Sequence, residues 1–442
     1  MSLLNYFRVS GPAMTRVSEE EVDRVYRRCR LQTILGGTVG YAIYYICRLS
    51  LGVMKQPLID AGLLSATQLG LIGACMYWAY AFSKVINGFL ADHSNIRRFM
   101  ATGLLISVVV NILMGVLGYA AEVGALSNGI LFLLFAILWT VNGSAQSMGT
   151  PPVTVALSRW FSRDTRGTYL GLVYSSHSIG ESISFILMGW LVVLLGWIWG
   201  FLSAGLIGLL GIVVILLFLH DTPESEGLPP LERDSEVEDT LTLQKSAVKA
   251  PLLWVIAVSS AFLYICRYAI NEWGVIFLQE TKGYDLSTAA MVVGISPVLG
   301  ILGSVISGWL SDKIFSGDRR VPLLISGLLL IAGLGLFLLG GPAMWLNILA
   351  MVLFGMAIGL MVCYTGGIMI IDIVDSRSTG AAIGLVSTIS YIAAGLQNII
   401  TGRLMDLGGV THNYSVVTWM WIGSAFISFL LPVLAWKKPE IR

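Results

Sequence analysis

Charge is what this sequence has least of. Asp, Glu, Lys and Arg make up 12% of its 442 residues, about half the share found in ordinary soluble domains. The 27 basic and 26 acidic residues nearly cancel, and no basic stripe interleaved with aromatics runs along the chain, so nucleic acid is not expected as a partner. Histidine occurs four times and cysteine five. Cys29, Cys47, Cys75, Cys266 and Cys363 are odd in number and form no close pair. They read as small apolar packers rather than a disulfide frame or a metal knuckle. The sequence also lacks a phosphate-cradling glycine loop, a nucleophile–base pair and any cluster with metal-ligand spacing. No enzyme, no cofactor, no metal and no nucleotide-driven pump is expected from it.

What the sequence has in abundance is apolar length. Hydrophobic residues make up 56% of the chain, and the mean hydropathy is +0.80. A membrane-spanning helix needs roughly 20 mostly apolar residues. Twelve such runs can be placed, from 33–54 to 415–436, which predicts an all-α membrane protein in a lipid bilayer. An even number of crossings puts both termini on one side. Twenty-one of the 27 Lys and Arg fall on that side, and three fall opposite, at Lys55, Lys282 and Arg403. By the positive-inside rule both termini are cytoplasmic. Residues 1–30 are rich in charge and lack the apolar core of a signal peptide, so they read as a cytoplasmic lead-in. The polar, acidic stretch 221–250 reads as a cytoplasmic linker between two six-span bundles, 31–220 and 251–442.

The two bundles repeat each other. Tyr-Ile-Cys-Arg occurs at 45–48 and again at 264–267. Gly88-Phe-Leu-Ala-Asp92 returns as Gly308-Trp-Leu-Ser-Asp312, each followed by an Arg pair, Arg97-Arg98 and Arg319-Arg320. Gly167-Thr-Tyr-Leu-Gly-Leu-Val173 returns as Gly380-Ala-Ala-Ile-Gly-Leu-Val386. Three matches in order at nearly constant offset mark a duplication of parallel topology. In such transporters the substrate site lies between the halves near the bilayer midplane. Asp92, Asp312, Arg98 and Arg320 then read as gating or structural residues that hold helix ends together.

Three cations, Arg48, Lys84 and Arg267, fall inside spans, where each costs about 2.5–3.5 kcal/mol on insertion scales. Arg48 and Arg267 occupy equivalent helices, so the repeat is expected to turn them toward each other. Two guanidinium forks converging on one point suit a phosphate dianion. Tyr41, Tyr45 and Arg48 share one helix face, and Tyr264, Arg267 and Asn271 share another. Lys84 sits with Tyr77 and Tyr80. His177, which can titrate near neutrality, shares a stripe with Tyr174 and Glu181, and Tyr364 and Tyr391 are further candidate contacts. In the alternative reading the arginines neutralise buried acids, with Glu272 for Arg267 and Glu181 as the second acid. The Gly149-Thr-Pro-Pro152 segment reads as close packing that the prolines end.

Along nearly its whole length the chain resembles the organophosphate:phosphate antiporter family of the major facilitator superfamily. The resemblance is carried by Tyr41-Ala-Ile-Tyr-Tyr-Ile-Cys-Arg48, by Lys84 with Asp92, by Gly149-Thr-Pro-Pro152, Arg166-Gly167 and Ser176-His177. Arg267-Tyr-Ala-Ile-Asn-Glu-Trp273 and Gly308-Trp-Leu-Ser-Asp-Lys313 carry it in the second half. It implies exchange of an organic phosphate for inorganic phosphate by rocker-switch alternating access. Arg48 and Arg267 would bind the phosphoryl group, Lys84 and His177 would support them, and Tyr41, Tyr45, Tyr80, Tyr264 and Tyr391 would line the site. Thr150, Pro297 and Val173-Tyr174 depart from the glycerol-phosphate type. The run Ala269-Ile-Asn-Glu-Trp-Gly274 looks closest to the hexose-phosphate transporter and sensor branch. The expected substrate is therefore a sugar phosphate, glucose 6-phosphate foremost, handled by a functional monomer in a bacterial-type inner membrane. Two rivals remain: a sugar-phosphate receptor that signals to a membrane sensor kinase, and a proton-coupled anion carrier using His177, Glu181 and Glu272.

Overall fold

The computed structural model describes residues 3–161, 163–230, 248–315, 318–374, 378–408 and 414–436, the side chains of 3–4, 163–168, 170–172, 174 and 312 excepted. The central acidic stretch and the side chains of Arg166, Tyr174 and Asp312 therefore lie outside the described residues. Among the described residues, twelve helices are long and apolar enough to cross a membrane. In chain order they are α1 (Val22–Asp60), α2 (Ala66–Asp92), α3 (Ile96–Glu122), α4 (Asn128–Trp160), α5 (Arg163–Leu195) and α6 (Trp197–Phe218). After the acidic stretch come α7 (Pro251–Lys282), α8 (Leu286–Trp309), α9 (Arg320–Leu339), α10 (Met344–Ile371), α11 (Thr379–Leu407) and α12 (Tyr414–Ala435).

Polar side chains fix where several of these helices begin. Ser65 and Gln68 form a reciprocal capping box at the start of α2, satisfying two amides that a helix start leaves open. Asn95 caps α3 through the Arg98 amide, and Asp285 caps α8 through Thr288. The Asp285 carboxyl is drawn down to about 2 by the hydroxyls and amides of Ser287 and Thr288.

The sequence pattern underestimated two elements. α1 was expected to stop at 54 and runs to Asp60, because a helical ladder continues through polar residues once it is formed. Lys55, expected in an outer loop, thus lies inside the helix and is fully buried. The fourth span was expected to end at its prolines. It breaks near Gly149 and resumes at Thr150 as a second segment to Trp160, since proline is well tolerated in a first helical turn.

Within the first half α1 packs on α5 and α6; within the second, α7 packs on α11 and α12. The halves meet where α2 lies along α11 and α5 along α8, with α1 and α7 touching between them. Small residues permit the closest approaches. A side chain at Gly70 would collide with the Asn398 carbonyl, and one at Gly402 with that of Ala66, so α2 and α11 seat backbone to backbone at that end.

That end is the one away from the termini. There the Ala66 and Thr67 amides donate to the Asp406 carboxylate at 3.1 and 2.8 Å. Bonds between the halves continue inward to Trp78 with the Ile392 carbonyl and then Lys84 with Ser387 Oγ at 3.0 Å. One and two turns further toward the terminal side, Gly384 and Gly380 have no neighbour within 4 Å of where a side chain would begin. The halves are therefore in direct contact on the far side, and among the described residues no such contact forms at Gly380 and Gly384 on the side that carries the termini.

Candidate functional site

Arg48 sits at the centre of a tyrosine cage, 2% exposed. Its guanidinium carbon lies 4.2 Å from the ring centre of Tyr80, 5.3 Å from Tyr45, 5.4 Å from Tyr391 and 6.0 Å from Tyr77. Four ring faces ease a desolvated cation, each by about 0.5–2 kcal/mol. They do not neutralise it. Among the described residues Arg48 has no carboxylate partner, and its Nε and Nη2 are buried without a hydrogen-bond acceptor. A buried guanidinium with two open donors is set up to receive an anion.

Arg267 is held differently. Its Nη2 donates to Glu181 Oε2 at 3.0 Å, across the interface between α7 and α5. Asn271, one turn further along α7, donates to the other Glu181 oxygen. The Glu272–Arg267 pairing that the alternative reading offers does not occur; the acid that Arg267 meets is Glu181. Glu272 instead lies 2.6 Å from Lys55 and accepts the Tyr77 hydroxyl at 2.5 Å. Arg267 stands 5.7 Å from the Tyr268 ring, and Tyr268 packs 4.6 Å from Tyr77 and 5.7 Å from Tyr391, two rings that also face Arg48, so the duplicated arginines share one neighbourhood.

The remaining expected residues gather around them. Tyr268 donates to Tyr391 at 3.2 Å, and Tyr264 packs edge-on against Tyr391 at 5.4 Å. Tyr41 receives the Thr150 hydroxyl at 2.6 Å and packs on Tyr45. His177 lies against Tyr45, ring centres 5.7 Å apart. The Lys84 ammonium stands 5.7 Å from Tyr80 and 5.9 Å from Tyr391. Beside this cluster a small cavity of about 50 Å³ is lined by His177, Glu181, Arg267, Asn271, Ser296 and Ser304. Among the described residues Arg48, Lys84 and Arg267 share the region with Glu181, and Glu272 reaches its edge through Tyr77.

The helix-end residues are less uniform. Asp92 is exposed, and it is its backbone carbonyl that accepts from Arg159. The carboxylate that organises this corner is Asp221, which binds Arg159 at 2.5 Å and the Ile96 amide at 3.0 Å. Arg98 donates to the Tyr6 carbonyl. In the second half Arg319, not the exposed Arg320, holds Asp372 at 2.8 Å. Tyr364 turns away from the cage, its hydroxyl donating to the Ser307 carbonyl at 2.8 Å.

Sequence reasoning put Tyr77 and Asn271 beside the buried cations without giving them a role, omitted Tyr268 and misplaced Lys55. Tyr268 follows Tyr264 by four residues, so helical spacing could have found it. Lys55 gave no such signal, because its partner belongs to the other half. Spacing was equally blind to Cys29, His220 and Glu226, whose ligating atoms lie within 4.8 Å of one another on the terminal side. Both His220 ring nitrogens are already engaged there, by Glu226 at 2.9 Å and Gln32 at 3.0 Å.

Residues 37–396 match the family model of the Major Facilitator Superfamily. The chain is 31% identical to a probable hexose phosphate transport protein of Chlamydia pneumoniae, over 96% of this chain and 94% of that one. It is 30% identical to a glycerol-3-phosphate transporter of Bacillus subtilis, covering 98% of both. It is 28% identical to the membrane sensor protein UhpC of Salmonella typhimurium, covering 99% of both. In fold it matches an inward-facing, unoccupied bacterial homolog of the human lysosomal transporter Spinster, with a TM-score of 0.69, 18% identity, and coverage of 92% of this chain and 97% of that chain.

Proposed function

This chain belongs to the Major Facilitator Superfamily, and we propose that it exchanges a sugar phosphate, glucose 6-phosphate foremost, for inorganic phosphate by alternating access. The observation that carries this reading is the uncompensated Arg48. A guanidinium buried among tyrosines with open donors is tolerable for a resting protein that regularly meets an anion there. Arg267 and Lys84 add positive charge in the same region, so the complement is a small dianion such as a phosphoryl group. The relatives named for hexose phosphate and glycerol-3-phosphate transport support the same substrate class.

In this reading the phosphoryl group lies between Arg48 and Arg267, and the organic part of the substrate extends along the cavity toward Ser296 and Ser304. The halves 31–220 and 251–442 rock as two bodies. The structure then corresponds to a state open toward the cytoplasm, with both termini on that face of a bacterial-type inner membrane. The site is built wholly within one chain, which fits a working monomer.

Phosphate-loaded proteoliposomes provide the test. They should accumulate labelled glucose 6-phosphate, vesicles without internal phosphate should not, and Arg48→Lys should abolish uptake, because an ammonium lacks the planar fork. Equal uptake with and without internal phosphate would refute exchange. The relative named as a membrane sensor favours a second reading, in which sugar phosphate is bound and signalled to a partner kinase. Binding without any counterflow would support that reading over transport.

A further inference from the structure

We propose that Glu181 is a built-in competitor for the phosphoryl group: it occupies Arg267 while the site is empty and must leave when phosphate enters. The inference rests on the phosphate reading above and adds to it a residue that sets affinity.

Glu181 stands on α5 in the first half, and Arg267 and Asn271 stand on α7 in the second. Glu181 Oε2 receives Arg267 Nη2 at 3.0 Å, and Oε1 receives the Asn271 amide. All three residues line the small cavity beside the tyrosine cage. The carboxylate therefore fills the role that two phosphoryl oxygens would fill: it is anionic, it accepts from both α7 donors, and it links the halves. A phosphate brought against Arg267 with Glu181 in place would set like charges side by side in a buried site, where repulsion is stronger than in bulk water.

Among the described residues, the other ion pair between the halves does not share this property. Lys55 and Glu272 are buried, 0% and 5% exposed, and neither lines the cavity. Lys55 also bonds Asn398, which receives the Trp273 indole, so that pair belongs to the far-side contact. Glu181 is the one of these two carboxylates that an entering ligand meets.

A competitor built into the protein lowers apparent affinity by the fraction of time the competent form is free. Removing its charge should strengthen phosphate binding, whereas a carboxylate that merely supports the fold would weaken binding when lost. Glu181→Gln keeps the size and a carbonyl acceptor for Asn271. Glu181→Asp keeps the charge but is one methylene short of Arg267.

Labelled phosphate–phosphate exchange in proteoliposomes should show half-saturation at about tenfold lower phosphate for Glu181→Gln than for the unaltered protein, the result when the free form is roughly one in ten. Glu181→Asp should fall between the two. Half-saturation in Glu181→Gln at or above that of the unaltered protein would overturn the proposal. If Glu181→Gln gives no active carrier, Glu181→Asp decides by the same criterion. Failure of the unaltered protein to exchange phosphate would instead sink the phosphate reading itself.

Discussion

The Lys55–Glu272 pair illustrates what a buried charge does outside the ligand site. Removing one member strands the other as a buried, unpaired charge. Lys55→Met alone should therefore cost about 3–5 kcal/mol of stability, while Lys55→Met combined with Glu272→Met should recover most of it. Apparent melting temperatures in detergent for the two singles and the double would show this, and additive losses would contradict it. The charges at this scale were only partly legible in the sequence. Arg48, Arg267 and Lys84 stood out because charge inside an apolar run is costly. Which acid each cation meets was not legible, because Glu181 and Glu272 find partners across the interface between halves, and no spacing along one chain segment encodes that.

At the scale of helices, hydropathy marks the apolar middle of an element and caps mark its ends. The twelve spans were legible for the first reason. Their ends were not, as the extra turns of α1 and the resumed fourth span demonstrate. Asp285 gives the clearest end effect. Its carboxyl is held at about 2 by Ser287 and Thr288, below the unfolded value. A depressed carboxyl stabilises the folded state at pH values above its unfolded pKa, and the contribution fades as pH falls toward the folded one. Asp285→Ala should therefore lower the melting temperature at pH 7, by a cap's worth of about 1 kcal/mol, and the difference from the unaltered protein should shrink as pH falls through 4 toward 2. A difference that held constant over that range would remove the carboxylate from the explanation.

For the molecule as a whole, the duplication already written in Tyr45–Arg48 and Tyr264–Arg267 explains why two cations meet in one neighbourhood. Both lie on matching faces of the matching helices α1 and α7, which touch where the halves come together. The repeat did not foretell their inequality. Among the described residues Arg267 has a carboxylate from the other half and Arg48 only aromatic rings, because the repeat places Ala394 where the first half has Glu181. Nor did it reveal on which side the halves touch; that follows from backbone contact at Gly70 and Gly402 and the Asp406 bonds.

Transport and sensing both require that phosphate first be bound between the halves, so equilibrium binding of labelled inorganic phosphate to the purified protein tests that premise without assuming turnover. Saturable binding to the unaltered protein that falls at least tenfold in affinity in Arg48→Lys, roughly 1.4 kcal/mol or more, is the predicted result. Undiminished binding in that variant would contradict the account.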